Sequence, residues 1–231
     1  MAAAVSGVRE ARGPVRRREA PRLLRRLFVG RQAAGAASIC GLGARDGVVR
    51  VGATKRRGDW MQTFTGRQFW PLDPRPEDVD ITDIAHALSQ LCRFGGHTRV
   101  FYSVAEHCVR VSLTCDLADA LAGLLHDAAE AYVVDVPRPL KRHLIGYREI
   151  ESGVHYAICE RFNLSPGMPA SVFNADQILL VTEARDLMSR PPNAWAPMPA
   201  PLPDRILDPL SPPRAKDWFM QRFRALWETR V

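Results

Sequence analysis

The sequence predicts an all-α fold, a compact multi-helix bundle, on three observations. Apolar residues recur at helical spacing through most of residues 82–229, and no run alternates long enough for a large sheet. Helix start and stop signals fall at the ends of the periodic stretches. With 46% hydrophobic and 25% charged residues, a 231-residue chain has the means to build one packed core.

Residues 1–60 stand apart as a basic Arg/Ala/Gly-rich extension, expected to be disordered or weakly structured, and 61–231 as the folded domain. The chain carries +7 overall, but residues 1–60 hold 14 Lys or Arg against 4 Asp or Glu. The remainder is therefore net acidic, and nucleic-acid binding is an option for the extension alone. A tail, a targeting segment resembling a transit peptide, and an over-extended gene start before Met61 all remain open for it.

The segment "WPLDPRPEDVD" is Pro-interrupted, and only short strands near residues 63–72 are expected. Helix one should run over about 82–93, started by Thr82 and stopped by "FGGHT". Helix two, about 104–114, opens with Ser103 and Glu106 at capping-box spacing. Helix three should continue from Asp116 as cap to about 132, until Pro137 and Pro139 forbid it. Helix four, about 147–162, carries Ile150, Val154, Ile158 and Phe162; helix five, about 171–188, opens with Ser171. A Pro-rich connector (about 190–213) leads to a final amphipathic helix, about 213–229, whose Trp218, Phe219, Phe223 and Trp227 are expected in the core or at a dimer contact.

Five scattered cysteines without a Cys-x-x-Cys pair suggest reduced thiols. With neither a long apolar run nor a secretory signal, the chain reads as cytoplasmic, with no membrane partner.

Helix three raises the functional question. Between Arg110 and Arg138 there is no Lys or Arg, yet the span holds Asp116, Asp119, Asp127, Glu130 and Asp135. A solvated face usually mixes signs, so this one looks turned towards a cation. At 100° per residue His126, Asp127 and Glu130 share a sector about 100° wide, opposite Leu121, Leu124 and Leu125. His107 on helix two and Asp176 on helix five are further donors. Two imidazoles and two carboxylates would neutralise a divalent ion (Mn, Co, Zn, Mg or Fe) and leave positions for water and substrate. The chemistry such an ion supports is hydrolysis, with Glu130 moving protons and Arg93, Arg138, Lys141 or Arg142 holding phosphate oxygens.

The series "SVAEH", "LLHDAAEAYVVDVPRPLK" and Asp176 resembles the HD-domain metal-dependent phosphohydrolase superfamily, in the branch of bacterial 5'-deoxynucleotidases and phage-type dATP triphosphohydrolases. The resemblance covers about residues 62–190. It implies a compact HD-domain bundle, a homo-oligomer, and hydrolysis of the 5' phosphate ester of deoxynucleotides, either dNMP or dNTP. It implies His107, His126, Asp127 and Asp176 as ligands of one metal ion, Glu130 as the catalytic carboxylate, and Asp135 near the substrate. Arg93 and Lys141 would bind phosphate. Phe94 stands where the 5'-deoxynucleotidases have Trp, which leaves base and sugar preference open. His86, His97, His143 and His155 match no ligand position. A non-catalytic nucleotide sensor on the same scaffold is the alternative, and the presence of Glu130 argues against it.

Overall fold

The computed structural model describes residues 55–193, 195 and 198–230. Expectations for residues 1–54 and for Cys40 lie outside this range. Folded structure reaches back past Met61: the Arg56 guanidinium lies 4.3 Å from the Trp70 ring centre, donates to the Asp73 carbonyl and pairs with Asp78.

The regular structure among the described residues is mostly helical, with one small antiparallel hairpin, β1 (Met61–Gln62) against β2 (Gln68–Phe69). The helices are α1 (Ile81–Gln90), α2 (Val104–Thr114), α3 (Ala120–Leu125), α4 (Glu130–Val133), α5 (Arg138–Lys141), α6 (Tyr147–Arg161), α7 (Ala170–Leu187) and α8 (Pro212–Glu228). The expected all-α bundle is present. No helix among the described residues is long and apolar enough to cross a membrane.

α2 is the centre of the bundle, packed against α1, α3, α7 and α8. Val104, Ala105, Cys108, Val109 and Val111 are all fully buried, so the helix is enclosed nearly all round. Its polar residues are buried with partners: the Glu106 carboxylate accepts from Arg110 and from the Leu210 N–H, and Ser112 donates to the Ala120 carbonyl. Around it, Ile84 and Leu88 of α1, Leu121, Leu124 and Leu125 of α3, Val154 and Ile158 of α6, and Phe219, Phe223 and Leu226 of α8 form one continuous core. Trp227 is half-exposed and stacks on Phe223 instead. Gly123 permits a close approach, since a Cβ there would meet Cys115 Sγ at 2.9 Å and the Ser112 backbone at 3.3 Å. Among the described residues Cys92, Cys108, Cys115 and Cys159 are free thiols.

Several local expectations are corrected. α1 is capped by Asp80, whose carboxylate accepts from the Thr82 N–H at 2.8 Å, and it ends at Gln90. Beyond it the backbone turns extended and Cys92 bridges Ser103, so the intervening residues form an excursion rather than more helix. Phe94, Gly95 and Gly96 all take positive φ there, which favours the two glycines. Ser103 does cap α2, accepting from the Glu106 N–H, but Glu106 does not reach back. Asp116 makes no capping bond, and Pro169 precedes the first residue of α7, leaving the Ser171 hydroxyl to donate to Asp119.

Helix three is not continuous. A 3-10 turn (Leu117–Asp119) precedes α3, and between α3 and α4 the bonds tighten: Ala128 N–H reaches Leu125 O and Glu130 N–H reaches Asp127 O, both at 3.0 Å. In such turns residues i and i+3 eclipse. Asp127 and Glu130 are thereby brought onto one line along the helix face, where a uniform α-helix would set them about 60° apart.

Candidate metal centre

The break after α3 delivers His126 and Asp127 to a point already faced by α2 and α7. His126 turns its Nδ1 to the Gly123 carbonyl at 2.8 Å, which leaves Nε2 facing inward. His107, fully buried on α2, turns its Nδ1 to Glu183 Oε1 at 2.6 Å and likewise presents Nε2. A carbonyl and a carboxylate only accept, so both rings carry their Nδ1 proton and a neutral ring offers an Nε2 lone pair.

Four donors converge. His107 Nε2 lies 3.3 Å from His126 Nε2, 3.3 Å from Asp176 Oδ1 and 3.6 Å from Asp127 Oδ2, and His126 Nε2 lies 3.1 Å from Asp127 Oδ2. Metal bonds of about 2.1 Å place neighbouring donor atoms about 3.0–3.4 Å apart, which all of these separations match except the longer one from His107 to Asp127. His107, His126 and Asp176 can each offer one atom within 4.8 Å of the others, as can Cys108, His126 and Asp127. All four ligand positions expected from the sequence are thus brought together. Cys108, a fully buried thiol beside them, was not anticipated, because its register on α2 reads simply as core.

The titration directions describe the same centre. Burial opposes charge on His126, yet the adjacent Asp127 carboxylate raises it well above the ordinary imidazole value. Burial also works against ionising Asp127, but His126, His107 and Arg93 hold it below the usual carboxylate range. Asp176 is lowered too, by His107 against the pull of burial. Such a centre draws positive charge to itself, as a proton or as a metal ion.

Glu130 behaves in the opposite way. Burial first, then the Asp127 and Asp135 carboxylates, push its carboxyl well above the usual value. Its Oε2 is buried without a hydrogen-bond partner. Buried polar atoms are nearly always paired, so an orphan oxygen beside a donor cluster marks a place for a further polar group. The donor set and this oxygen together fit a divalent ion with its water.

The remaining expectations are placed as follows. Arg93 is part-buried, its Nε donating to Glu183 Oε2 at 3.1 Å and one Nη to Asp127 Oδ2 at 3.5 Å, with Phe94 packed 5.4 Å from the guanidinium. Asp135 follows Val134, whose φ of 63° and ψ of 159° are strained for a β-branched residue. Burial, then Asp127, raises the Asp135 carboxyl, while Arg93 and Lys141 oppose the rise. Lys141 is not held open towards the cluster; its Nζ pairs with Glu151 at 2.6 Å. Arg138 and Arg142 are exposed on and after α5. His86 stacks on Phe64, His155 bonds the Pro166 carbonyl, and His97 and His143 are exposed. A surface cavity of about 790 Å³, lined by Leu121, Leu164 and Leu226 among others, includes none of the clustered donors.

Glu183 is the residue that sequence reasoning missed. Its side chain is fully buried, and besides His107 and Arg93 it accepts from the Tyr102 hydroxyl at 2.9 Å. Despite its burial, Arg93 and His107 hold its carboxyl below the usual value. The available signal was its spacing seven residues after Asp176, two helical turns on the same face.

Fold and site define an α-helical bundle with a part-buried two-histidine, two-aspartate centre able to take a divalent ion. The chain belongs to the same family as the uncharacterized protein YfdR of Escherichia coli strain K12, with which it is 40% identical over 174 residues, spanning 74% of this chain and 97% of YfdR. It is also 35% identical over 136 residues to the uncharacterized protein RCAP_rcc00048 of Rhodobacter capsulatus, over 54% of this chain and 69% of that protein. No protein-family profile matches it.

Proposed function

We propose that the chain is a metal-dependent phosphohydrolase of the HD-domain superfamily that cleaves the 5' phosphate ester of deoxynucleotides. The observation that supports this best is the convergence of His107, His126, Asp127 and Asp176 beside the orphan Oε2 of Glu130. The first four would hold the ion, whose chemistry when bound is to lower the pKa of water and draw a phosphoryl oxygen.

The chain's own residues supply the rest. Glu130, whose carboxyl its surroundings push well above the usual value, would give a proton to a departing 5' alkoxide, which is otherwise a poor leaving group. Arg93 spends Nε and one Nη on carboxylates, and its other Nη would be the group to meet a phosphate oxygen. Asp135 and Phe94 would meet the sugar and base side of the substrate. The proposal places the protein in the cytoplasm, with the deoxynucleotide pool.

The test is a panel of dNMPs, dNTPs, ribonucleotides and cyclic dinucleotides with Mn, Co, Mg and Zn, reading phosphate, pyrophosphate and triphosphate separately. Phosphate or triphosphate released together with free deoxynucleoside is expected. No turnover of any nucleotide with any of these metals would overturn the reading.

A further inference from the structure

We propose that Glu183 is a positioning residue that couples metal capture to anion capture, holding His107 with one carboxylate oxygen and Arg93 with the other. This rests on the metal centre described under Proposed function and adds a role for a residue outside the expected donor set.

The geometry is specific. Glu183 lies wholly inside the protein, and Oε1 takes His107 Nδ1 at 2.6 Å and the Tyr102 hydroxyl at 2.9 Å. Oε2 takes Arg93 Nε at 3.1 Å. The first contact decides a tautomer: opposite an acceptor that has no proton to give, His107 must carry its own on Nδ1, leaving Nε2 free for a cation. The second contact decides where Arg93 points. With Nε held, the guanidinium plane is turned so that one Nη reaches Asp127 at the edge of the donor cluster. Arg93 comes from the Cys92–Ser103 excursion, His107 from α2 and Glu183 from α7, so one carboxylate joins three separate segments.

A purely structural carboxylate would behave differently from a positioning one. Glu183→Gln keeps the shape but offers an NH₂ group able to face His107 and reverse its tautomer. Tyr102→Phe removes a third contact of the same carboxylate while leaving His107 and Arg93 engaged.

The experiment titrates the full chain with Co²⁺, followed by visible absorption, and then titrates the Co²⁺-loaded protein with inorganic phosphate. For Glu183→Gln, with its circular dichroism preserved, Co²⁺ affinity should fall about 10–100-fold. Phosphate affinity should fall with it, whereas Tyr102→Phe should stay within about threefold on both counts. Wild-type Co²⁺ affinity in Glu183→Gln, or an equal loss in both variants, would overturn the proposal. Should Glu183→Gln fail to fold, zinc-loaded wild-type protein gives the answer by NMR. His107 should show a slowly exchanging Nδ1 proton, and a proton missing from Nδ1 overturns the inference. A wild-type chain that takes up no Co²⁺ would sink the metal reading itself, an outcome distinguishable from failure of the Glu183 role alone.

Discussion

The Nε2 atoms of His107 and His126 lie 3.3 Å apart, although each ring donates its Nδ1 proton to a different part of the protein. Two lone pairs facing each other repel unless positive charge lies between or beside them. Gly123 lets α3 approach α2 closely enough for this meeting, and the same glycine supplies the carbonyl that orients His126.

Replacing either half of the adjacent pair should empty the centre. His126→Ala and Asp127→Ala are each expected to lose stoichiometric Co²⁺ binding and to lower turnover at least a hundredfold. Chelation by EDTA should abolish wild-type turnover, and added metal should restore it. Elemental analysis alongside phosphate release checks both.

Glu130→Gln should separate binding from chemistry. The metal is expected to remain, because Glu130 is outside the donor set, while kcat falls by about 10²–10⁴ through loss of proton transfer. Full turnover by the Glu130 variant would remove it from the mechanism.

Arg93→Ala should destabilise the protein regardless of ligand. It leaves the Glu183 carboxylate buried without its cation, a loss expected to cost roughly 3–5 kcal/mol. Urea unfolding of the metal-free protein measures this, and a loss below about 1 kcal/mol would mean that water reaches Glu183.

Asp186 gives a pH signature in the acid range. The Arg185 fork bonded to it, against an opposing pull from burial, brings its carboxyl down to about 2, and the Ile206 N–H and Arg205 add to the effect. Its folded value is below the unfolded one of about 3.9, so its stabilisation is present above about pH 4 and is lost as pH falls through about 2. Asp186→Asn should lower Tm at pH 7 by roughly 3–8 °C. The gap to wild type should close as pH approaches about 2 in thermal melts.

Val134 tests whether strain beside the site serves it. Its φ of 63° is held in part by the Tyr147 hydroxyl, which donates to the Val133 and Val134 carbonyls. Because the valine side chain is exposed, Val134→Gly should relieve strain at little packing cost and raise stability by about 1 kcal/mol. Turnover should drop as Asp135 loses its fixed position. A less stable variant would show that the conformation is comfortable for valine.

Much of this was legible in the residues alone. The all-α class followed from apolar spacing, because helix faces must be buried whatever they are buried against. The absence of Lys and Arg between Arg110 and Arg138 marked the acidic face, and His107, His126, Asp127 and Asp176, weak signals taken singly, read as donors only as a set. The interior of helix three was not legible, since 100° per residue was assumed where tighter turns line up Asp127 with Glu130. Nor was the engagement of Arg93 and Lys141 with Glu183 and Glu151, because those partners come from α7 and α6.

The sequence by itself determined which residue types could meet a cation, since chemistry and periodicity are local properties. Only the tertiary structure decided how they meet: which nitrogen of each histidine faces inward, that Glu183 sets it for His107, and that Glu130 keeps one oxygen unpaired. Those outcomes depend on contacts between residues 76 or more positions apart in one case and on a single close approach at Gly123 in another. Hydrogen-bond direction and burial are properties of the assembled bundle, and no segment carries them alone.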